Sequence, residues 1–135
     1  MTSKVFVSCD SAALSVGAEA VARAVQNEIV TRKADVKLVR NGSRGMLWLE
    51  PLLEVETPAG RVGYGPVTPA DVKAIFDNLG GAHKLNLGLV ESIPYFAKQQ
   101  RLTFARCGIT DPLSLDDYRA HGGWAGLEKA RAQEP

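Results

Sequence analysis

The chain has 135 residues, of which 45% are hydrophobic, so it has room for one globular domain of ordinary size and an appendage. Its 16 basic and 15 acidic residues leave a formal charge of +1, and we therefore expect neither nucleic acid nor a membrane as a partner. The first apolar run, residues 5–7, is too short for a signal-peptide core or a membrane span, which favours a cytoplasmic location.

The first third of the chain predicts a strand, a helix and a second strand. Residues 4–8 are β-branched and aromatic, which is typical of a buried strand. Asp10 or Ser11 then caps a helix that we expect to run unbroken to about Lys33, because apolar residues recur at helical spacing. These residues are Leu14, Ala18, Val21, Val25 and Ile29. Residues 35–40 predict the next strand, which completes a right-handed βαβ unit.

The middle of the chain predicts a hairpin followed by a helix. Residues 41–45 contain two glycines and form a turn out of the second strand. Two short strands, 52–56 and 61–64, are joined by a Thr-Pro-Ala-Gly turn. Thr68 is an N-cap with Pro69 at the first helical position, and that helix ends at a Gly-Gly pair. The order βαβ then ββα predicts an α/β fold of the thioredoxin-like kind.

The last third of the chain has weaker signals. Residues 82–100 have no strong period, and we expect them to be an ordered connector. A strand-like run at 102–104 is followed by a short helix capped by Ser114 and, after another Gly-Gly pair, by a second short helix that contains Trp124. Two such helices do not bury enough surface to fold alone. We therefore expect a short helical C-terminal lead-in to a missing domain, so that the chain is a fragment.

Residues 41–72 resemble the second cluster-binding half of the thioredoxin-like [2Fe-2S] ferredoxins. In that family a turn with glycines and cysteines is followed by a proline, a hairpin strand, and a Tyr-Gly pair before a Val-Thr-Pro-Glu-Asp-Val helix start. The chain matches this frame at Gly42, Gly45, Pro51, Tyr64, Gly65 and residues 67–72. The resemblance implies the thioredoxin-like [2Fe-2S] ferredoxin fold.

The cluster ligands of that family are not matched. Ser43 and Leu47 stand at the positions of its third and fourth cysteines, and the first loop keeps only Cys9 near a ligand position. One thiolate does not hold a cluster that needs four protein ligands. The resemblance therefore implies a fold lacking the cluster, with vestigial positions at Cys9, Ser43 and Leu47 and no metal site. A degraded cluster held through Cys9 and Ser43 is the alternative.

Residues 101–130 resemble the lead-in to the FMN- and NADH-binding domain of the flavoprotein subunit shared by complex I, NAD-linked hydrogenases and soluble NAD-dependent formate dehydrogenases. Together with residues 39–57, they make the chain look most like the start of the beta (diaphorase) subunit of a formate dehydrogenase. An NAD-linked hydrogenase remains an alternative parent. The resemblance implies that FMN and an iron-sulfur cluster belong to the full-length subunit, that its partners are the other subunits of the complex, and that this part has no catalytic residue.

We accordingly predict a thioredoxin-like domain at residues 1–82, a connector at 83–100, and the start of the flavoprotein domain at 101–135. Arg44, Met46 and Trp48 follow the vestigial ligand position Ser43 and are the candidate docking residues for a neighbouring subunit. The alternative for Met46 and Trp48 is that they belong to the hydrophobic core.

A different class of function depends on Cys9. Cys9 and Cys107 are far apart in the sequence, and a reducing compartment leaves both as thiols. Cys9 precedes a predicted helix, whose N-terminal dipole lowers the pKa of a nearby thiol, so a free-standing thiol oxidoreductase or thiol sensor is possible. An inert thiol is the other interpretation, because no second cysteine lies within a C-x-x-C window to resolve a disulfide.

Overall fold

The computed structural model describes residues 2–133, which contain one five-stranded sheet with the strand order β2-β1-β3-β4-β5. The strands are β1 (Ser3–Ser8), β2 (Val36–Asn41), β3 (Leu53–Thr57), β4 (Gly60–Tyr64) and β5 (Asn86–Leu89). β1 and β2 are parallel, and the other neighbouring pairs are antiparallel. The mixed sheet and the order βαβ then ββα are as the sequence predicts.

The described residues form six α-helices, two of which cover one face of the sheet. The helices are α1 (Ser11–Ser15), α2 (Ala18–Arg32), α3 (Pro69–Asp77), α4 (Pro94–Ala97), α5 (Leu115–Ala120) and α6 (Ala125–Arg131). Two 3₁₀ turns lie at Leu47–Leu49 and Val90–Ser92. Side chains at alternate positions of β1, β3 and β4 pack against α2 and α3 to form the main hydrophobic core. No helix among residues 2–133 is long and apolar enough to cross a bilayer.

The helix that was expected to continue unbroken to Lys33 is in fact two helices. Asp10 caps α1 by accepting hydrogen bonds from the N–H groups of Ala12 and Ala13. The chain then turns at Gly17, whose φ of +100° is accessible mainly to glycine, and α2 begins at the next residue. This turn changes which side of the helical segment is buried, so that Ala13 is buried while Leu14 is exposed.

The sheet continues beyond residue 82, where the sequence predicts the end of the thioredoxin-like domain. β5 lies within the segment that was expected to be a connector, and it pairs with β4 through Leu89 and Val62. The strand has only four residues, and Gly88 within it adopts a φ of +76°. Leu85, Leu87 and Leu89 alternate with Lys84, Asn86 and Gly88, which is a strand signal that the sequence prediction did not use. This segment also contributes to a second, smaller hydrophobic cluster, which consists of Met46, Leu52, Val90 and Phe96.

The C-terminal segment contains both predicted short helices but not the strand-like run. Residues 102–104 form turns rather than a strand. Ser114 caps α5 as predicted, because its hydroxyl accepts a hydrogen bond from the Asp117 N–H at 3.1 Å. Trp124 precedes α6 with a φ of +69°. Neither helix has a buried residue.

Candidate functional site

The two loops that carry the vestigial ligand positions lie side by side at one edge of the sheet. β1 and β2 are parallel, so the loops that follow them start at the same edge. The Cys9 N–H donates to the Asn41 carbonyl at 2.8 Å, and the Asp10 carboxylate accepts from the Ser43 N–H at 2.7 Å. The fold therefore brings the loops of Cys9 and Ser43 together, as the ferredoxin resemblance requires.

The side chains at these positions do not fit a [2Fe-2S] cluster. Burial raises the pKa of the Cys9 thiol, although the nearby Arg40 guanidinium acts in the opposite direction. The Ser43 hydroxyl accepts from the Gly45 N–H at 3.0 Å, and Leu47 offers only carbon atoms. Among residues 2–133 there is no group of three His, Cys, Asp or Glu side chains placed to hold a metal ion. A cluster takes four protein ligands, and this donor set does not supply them.

Carboxylates hold the loops at this edge instead. One Asp10 oxygen caps α1, and the other accepts the hydrogen bond from the Ser43 N–H. Glu50 is buried nearby, where it accepts hydrogen bonds from the Ser8 hydroxyl at 3.2 Å and from the Leu52 N–H at 2.8 Å. Burial raises the pKa of Glu50, and these hydrogen bonds partly oppose that shift. Hydrogen bonds to two carboxylates thus cross-link this edge.

Two of the three candidate docking side chains are buried. Arg44 is 3% exposed and makes a bidentate ion pair with Glu54, with N–O distances of 2.7 and 2.9 Å. Its third nitrogen contacts Glu91 at 2.7 Å. Met46 is 1% exposed in the second hydrophobic cluster. The Arg44 and Met46 side chains therefore support the loop from beneath and are not exposed for contact with a partner.

Trp48 is the docking candidate that lies at the surface. Its side chain is 59% exposed, and its ring meets the edge of Tyr95 with a centroid distance of 4.9 Å. The core alternative for Trp48 does not fit this exposure. Leu47 beside it is also exposed, so the 3₁₀ turn presents two apolar side chains outward.

The segment around Gly108 is fastened to the face of the sheet opposite α2 and α3. The Gly108 carbonyl accepts hydrogen bonds from the Asn41 side chain at 2.8 Å and from Arg61. Gly108 has a φ of +79°, and a Cβ built on it would lie 2.5 Å from Cγ of Arg44. Only glycine therefore fits between the backbone and the Arg44 side chain. The sequence showed this glycine, but its partners lie far away in the chain and could not be read from it.

An arginine-aromatic stack joins the same segment to the second hydrophobic cluster. The guanidinium groups of Arg44 and Arg101 lie 4.8 and 4.3 Å from the centre of the Phe96 ring. Arg101 also donates a hydrogen bond to the backbone carbonyl of Arg44. Sequence reasoning missed Arg101 and Phe96 as residues of this site, since neither belongs to a motif.

Comparison with solved structures defines the fold. The chain is similar to two cysteine-to-serine variants of the thioredoxin-like [2Fe-2S] ferredoxin from Aquifex aeolicus, with TM-scores of 0.54 and 0.55. In each case the sequence identity is 24%, and the match covers 64% of this chain and 98% of the ferredoxin chain. No family model and no curated protein sequence matches the chain. The chain therefore has the thioredoxin-like [2Fe-2S] ferredoxin fold that its sequence predicts.

Proposed function

We propose that this chain is a docking module without a cofactor of its own, in the electron-transferring flavoprotein subunit of an NAD-dependent formate dehydrogenase. The observation that carries the proposal is a ferredoxin fold in which the vestigial ligand positions Cys9, Ser43 and Leu47 include one thiol. The ferredoxins that share the fold support a place in an electron-transfer protein. The lack of a fitting donor set favours a structural role over electron transfer through this domain.

The formate dehydrogenase assignment is supported by two segments of the sequence. Residues 39–57 and 101–130 resemble the beginning of the beta subunit of that enzyme. In such a subunit FMN and an iron-sulfur cluster would be held by other parts of the polypeptide, and electrons would pass through FMN to NAD. NAD-linked hydrogenases have a similar lead-in, so a hydrogenase parent is the competing form of the same proposal.

Exposed apolar side chains support the docking role. The C-terminal segment, residues 101–133, has exposed apolar side chains on its turns and near both short helices. Trp48, in the 3₁₀ turn at Leu47–Leu49, is a further exposed apolar side chain. The side chains on the segment are Leu102, Phe104, Leu113, Leu115, Trp124 and Leu127. Exposed apolar side chains, where they form a contiguous patch, mark interaction sites on folded proteins.

The structure offers less support for a thiol enzyme. A reactive thiol needs a lowered pKa, whereas burial raises the pKa of Cys9. Cys107 is the other cysteine of the chain, and both are free thiols. For this reason we do not propose a redox function for Cys9.

Two measurements test the proposal separately. Protein prepared without oxygen should contain no stoichiometric iron or acid-labile sulfide and should show no visible absorption band; stoichiometric iron and sulfide would overturn the cofactor-free role. The chain should also co-purify, as a defined complex, with the iron-sulfur and formate-oxidising subunits of an NAD-dependent formate dehydrogenase when they are co-expressed. A complex formed only with hydrogenase subunits would support the competing parent.

A further inference from the structure

An open apolar groove lies between the turn at residues 43–45 and the segment at residues 95–107. Its volume is about 620 Å³, and Tyr95, Leu102 and Phe104 supply its apolar walls. Leu102 is 92% exposed and Phe104 is 67% exposed, so both side chains lie in solvent in the isolated chain. Trp48 extends the surface beyond Tyr95, because the two rings are in contact. The groove is thus part of a continuous apolar surface.

The charge beside this groove is positive and incompletely neutralised. Three guanidinium groups, from Arg44, Arg61 and Arg101, lie in the surrounding network. Glu54 and Glu91 form its ion pairs, and the charge of Glu56 also acts on Arg61. Glu54 and Glu91 are both paired with Arg44, and Glu54 also contacts Arg61. Among residues 2–133, no acidic side chain lines the groove and none lies within 4.0 Å of the Arg101 guanidinium. Among the described residues, Arg101 is therefore the guanidinium of this network that has no ion-pair partner.

Neutral groups hold the Arg101 side chain in place. It donates to the Gln99 side chain at 3.0 Å and to the backbone carbonyls of Cys107 and Arg44. Its guanidinium also packs on the Phe96 ring. A guanidinium has five N–H donors, so three such bonds leave two N–H groups for an acceptor outside the described residues. Because these contacts already order the Arg101 side chain, that side chain loses little further conformational entropy when a carboxylate binds to it.

We propose that this groove binds a peptide segment of a neighbouring polypeptide that combines apolar side chains with one Asp or Glu. The carboxylate accepts hydrogen bonds from Arg101, while the apolar side chains pack on Tyr95, Leu102 and Phe104. Because the groove is open along one side and has apolar walls, it suits an extended or helical peptide rather than an enclosed small molecule. The inference deepens the docking role proposed above by naming the surface and the partner chemistry, and it rests on that role.

The test uses the full chain as bait for a displayed library of random 12-residue peptides, followed by affinity measurements on the strongest binder. We expect the selected peptides to share two or more apolar residues and an acidic residue. Arg101→Gln in the protein, or acid-to-amide replacement in the peptide, should each weaken binding roughly tenfold, the size expected for a partly buried charge pair. Together they should weaken it little further, because both remove the same contact.

Substitutions at two exposed positions give a test of the groove and its matched control. Leu102→Ser should weaken peptide binding several-fold without affecting the fold, since that side chain is almost wholly in solvent. Val30→Ser changes an equally apolar, 66% exposed position on α2 and should leave peptide binding unchanged. If Arg101→Gln disturbs folding, the acid-to-amide peptide measured on the unchanged protein still tests the charge.

Several results would overturn the groove as the binding site. These are selected peptides without an acidic residue, equal binding of the acid and amide peptides, sensitivity to Val30→Ser but not to Leu102→Ser, or no selection at all. Full competition by free glutamate would show that a small carboxylate alone is recognised and would also overturn a peptide site. The selection involves no dehydrogenase subunit, so failure of the parent assignment and failure of the groove are separate outcomes.

Discussion

Cys9 lies in surroundings that oppose ionisation of its thiol. Burial raises its pKa, and the negative charges of Asp111 and Asp10 add to that effect, while Arg40 opposes it. The backbone of Cys9 has a structural role, since its N–H donates to the Asn41 carbonyl and ties the β1 exit to the end of β2.

We therefore expect Cys9 to be a slow nucleophile. In a Cys107→Ser variant, which leaves Cys9 as the single thiol, alkylation by iodoacetamide at neutral pH should be slower than that of free cysteine, because less thiolate is present. The rate is measured by mass spectrometry over time. A rate above that of free cysteine would show that the surroundings activate this thiol, and the thiol-enzyme alternative would then have to be reconsidered.

The Asp71 carboxyl group, at the start of α3, lies in surroundings that favour its ionised form. Hydrogen bonding from Thr68, through both its hydroxyl and its N–H, holds the pKa of Asp71 down to about 2 from 3.8, and Lys84 lies 3.1 Å away. A carboxylate whose pKa is lower in the folded state stabilises the protein above its unfolded pKa and loses that contribution as pH falls through the folded pKa.

Asp71→Asn should therefore lower the free energy of unfolding by about 1 kcal/mol at pH 7, the typical value of a helix cap. The difference from the unchanged protein should shrink as pH falls from about 4 towards 2, since protonation then removes the same charge. Urea unfolding followed by circular dichroism across this range measures it. A difference that stays constant down to pH 2 would contradict the proposed role of the charge.

At the scale of elements, the 3₁₀ turn at Leu47–Leu49 places two side chains that are two positions apart in different surroundings. Met46 points into the second hydrophobic cluster, whereas Trp48 lies on the surface against Tyr95. Both residues had been interpreted together from the sequence, because both are large and apolar and follow the same turn. The structure shows that a single loop provides a core residue and a surface residue within three positions.

Substitutions at these two positions should have different effects. Met46→Ala should lower the free energy of unfolding by about 2–5 kcal/mol, the usual cost of removing a buried large side chain. Trp48→Ala should change it by less than about 1 kcal/mol, because the side chain is largely in solvent, yet it should weaken association with a partner. Chemical denaturation followed by circular dichroism distinguishes them. Unfolding of the Trp48→Ala protein under native conditions would assign Trp48 to the core.

Local signals in the sequence predicted most elements, and tertiary effects explain the rest. The Thr68-Pro69 start of α3 and the hairpin turn depend on backbone rules that act within a few residues, so both appear as predicted. Gly17 was not recognised as a break, because a single glycine is also tolerated inside a helical pattern. β5 was missed although its leucines alternate with other residues, because the strand is short and contains Gly88, a residue type that is depleted in strands.

The candidate site was less predictable than the fold. Its positions followed from the resemblance, and the structure places the Cys9 and Ser43 loops together. The burial of Arg44 could not be inferred, because arginine is usually exposed and its partners Glu54 and Glu91 approach only in the folded chain. The Arg101 groove is likewise assembled from segments distant in sequence.

For the whole molecule, the two faces of the sheet are covered by different chemistry. α2 and α3 pack on one face with apolar side chains. On the other face the Arg61 guanidinium lies 3.5 Å from the centre of the Phe6 ring, and the Arg44–Glu54 pair is buried beneath the Gly108 segment. Buried ion pairs of this kind tolerate no loss of one partner, since the remaining charge would be left without compensation. The C-terminal segment therefore shields charged groups from water.

Gly108→Ala should release this segment. The positive φ costs about 1–2 kcal/mol for alanine, and the added Cβ would collide with Arg44. We expect faster amide hydrogen exchange around residues 105–110 and a lower free energy of unfolding. Gly126→Ala is the matched control, because α6 has open space at that position and alanine favours a helix. Equal exchange in both variants would show that Gly108 does not fasten the segment.

The bridge from Asp10 to Ser43 also bears on how the protein matures in the cell. Where metal ligation holds loops together, folding is coupled to binding of the metal. Here the carboxylate that closes the two loops is part of the polypeptide and is present as soon as translation ends. Under the cofactor-free role proposed above, the yield of folded domain should not depend on the supply of oxygen or iron to the cells that make it.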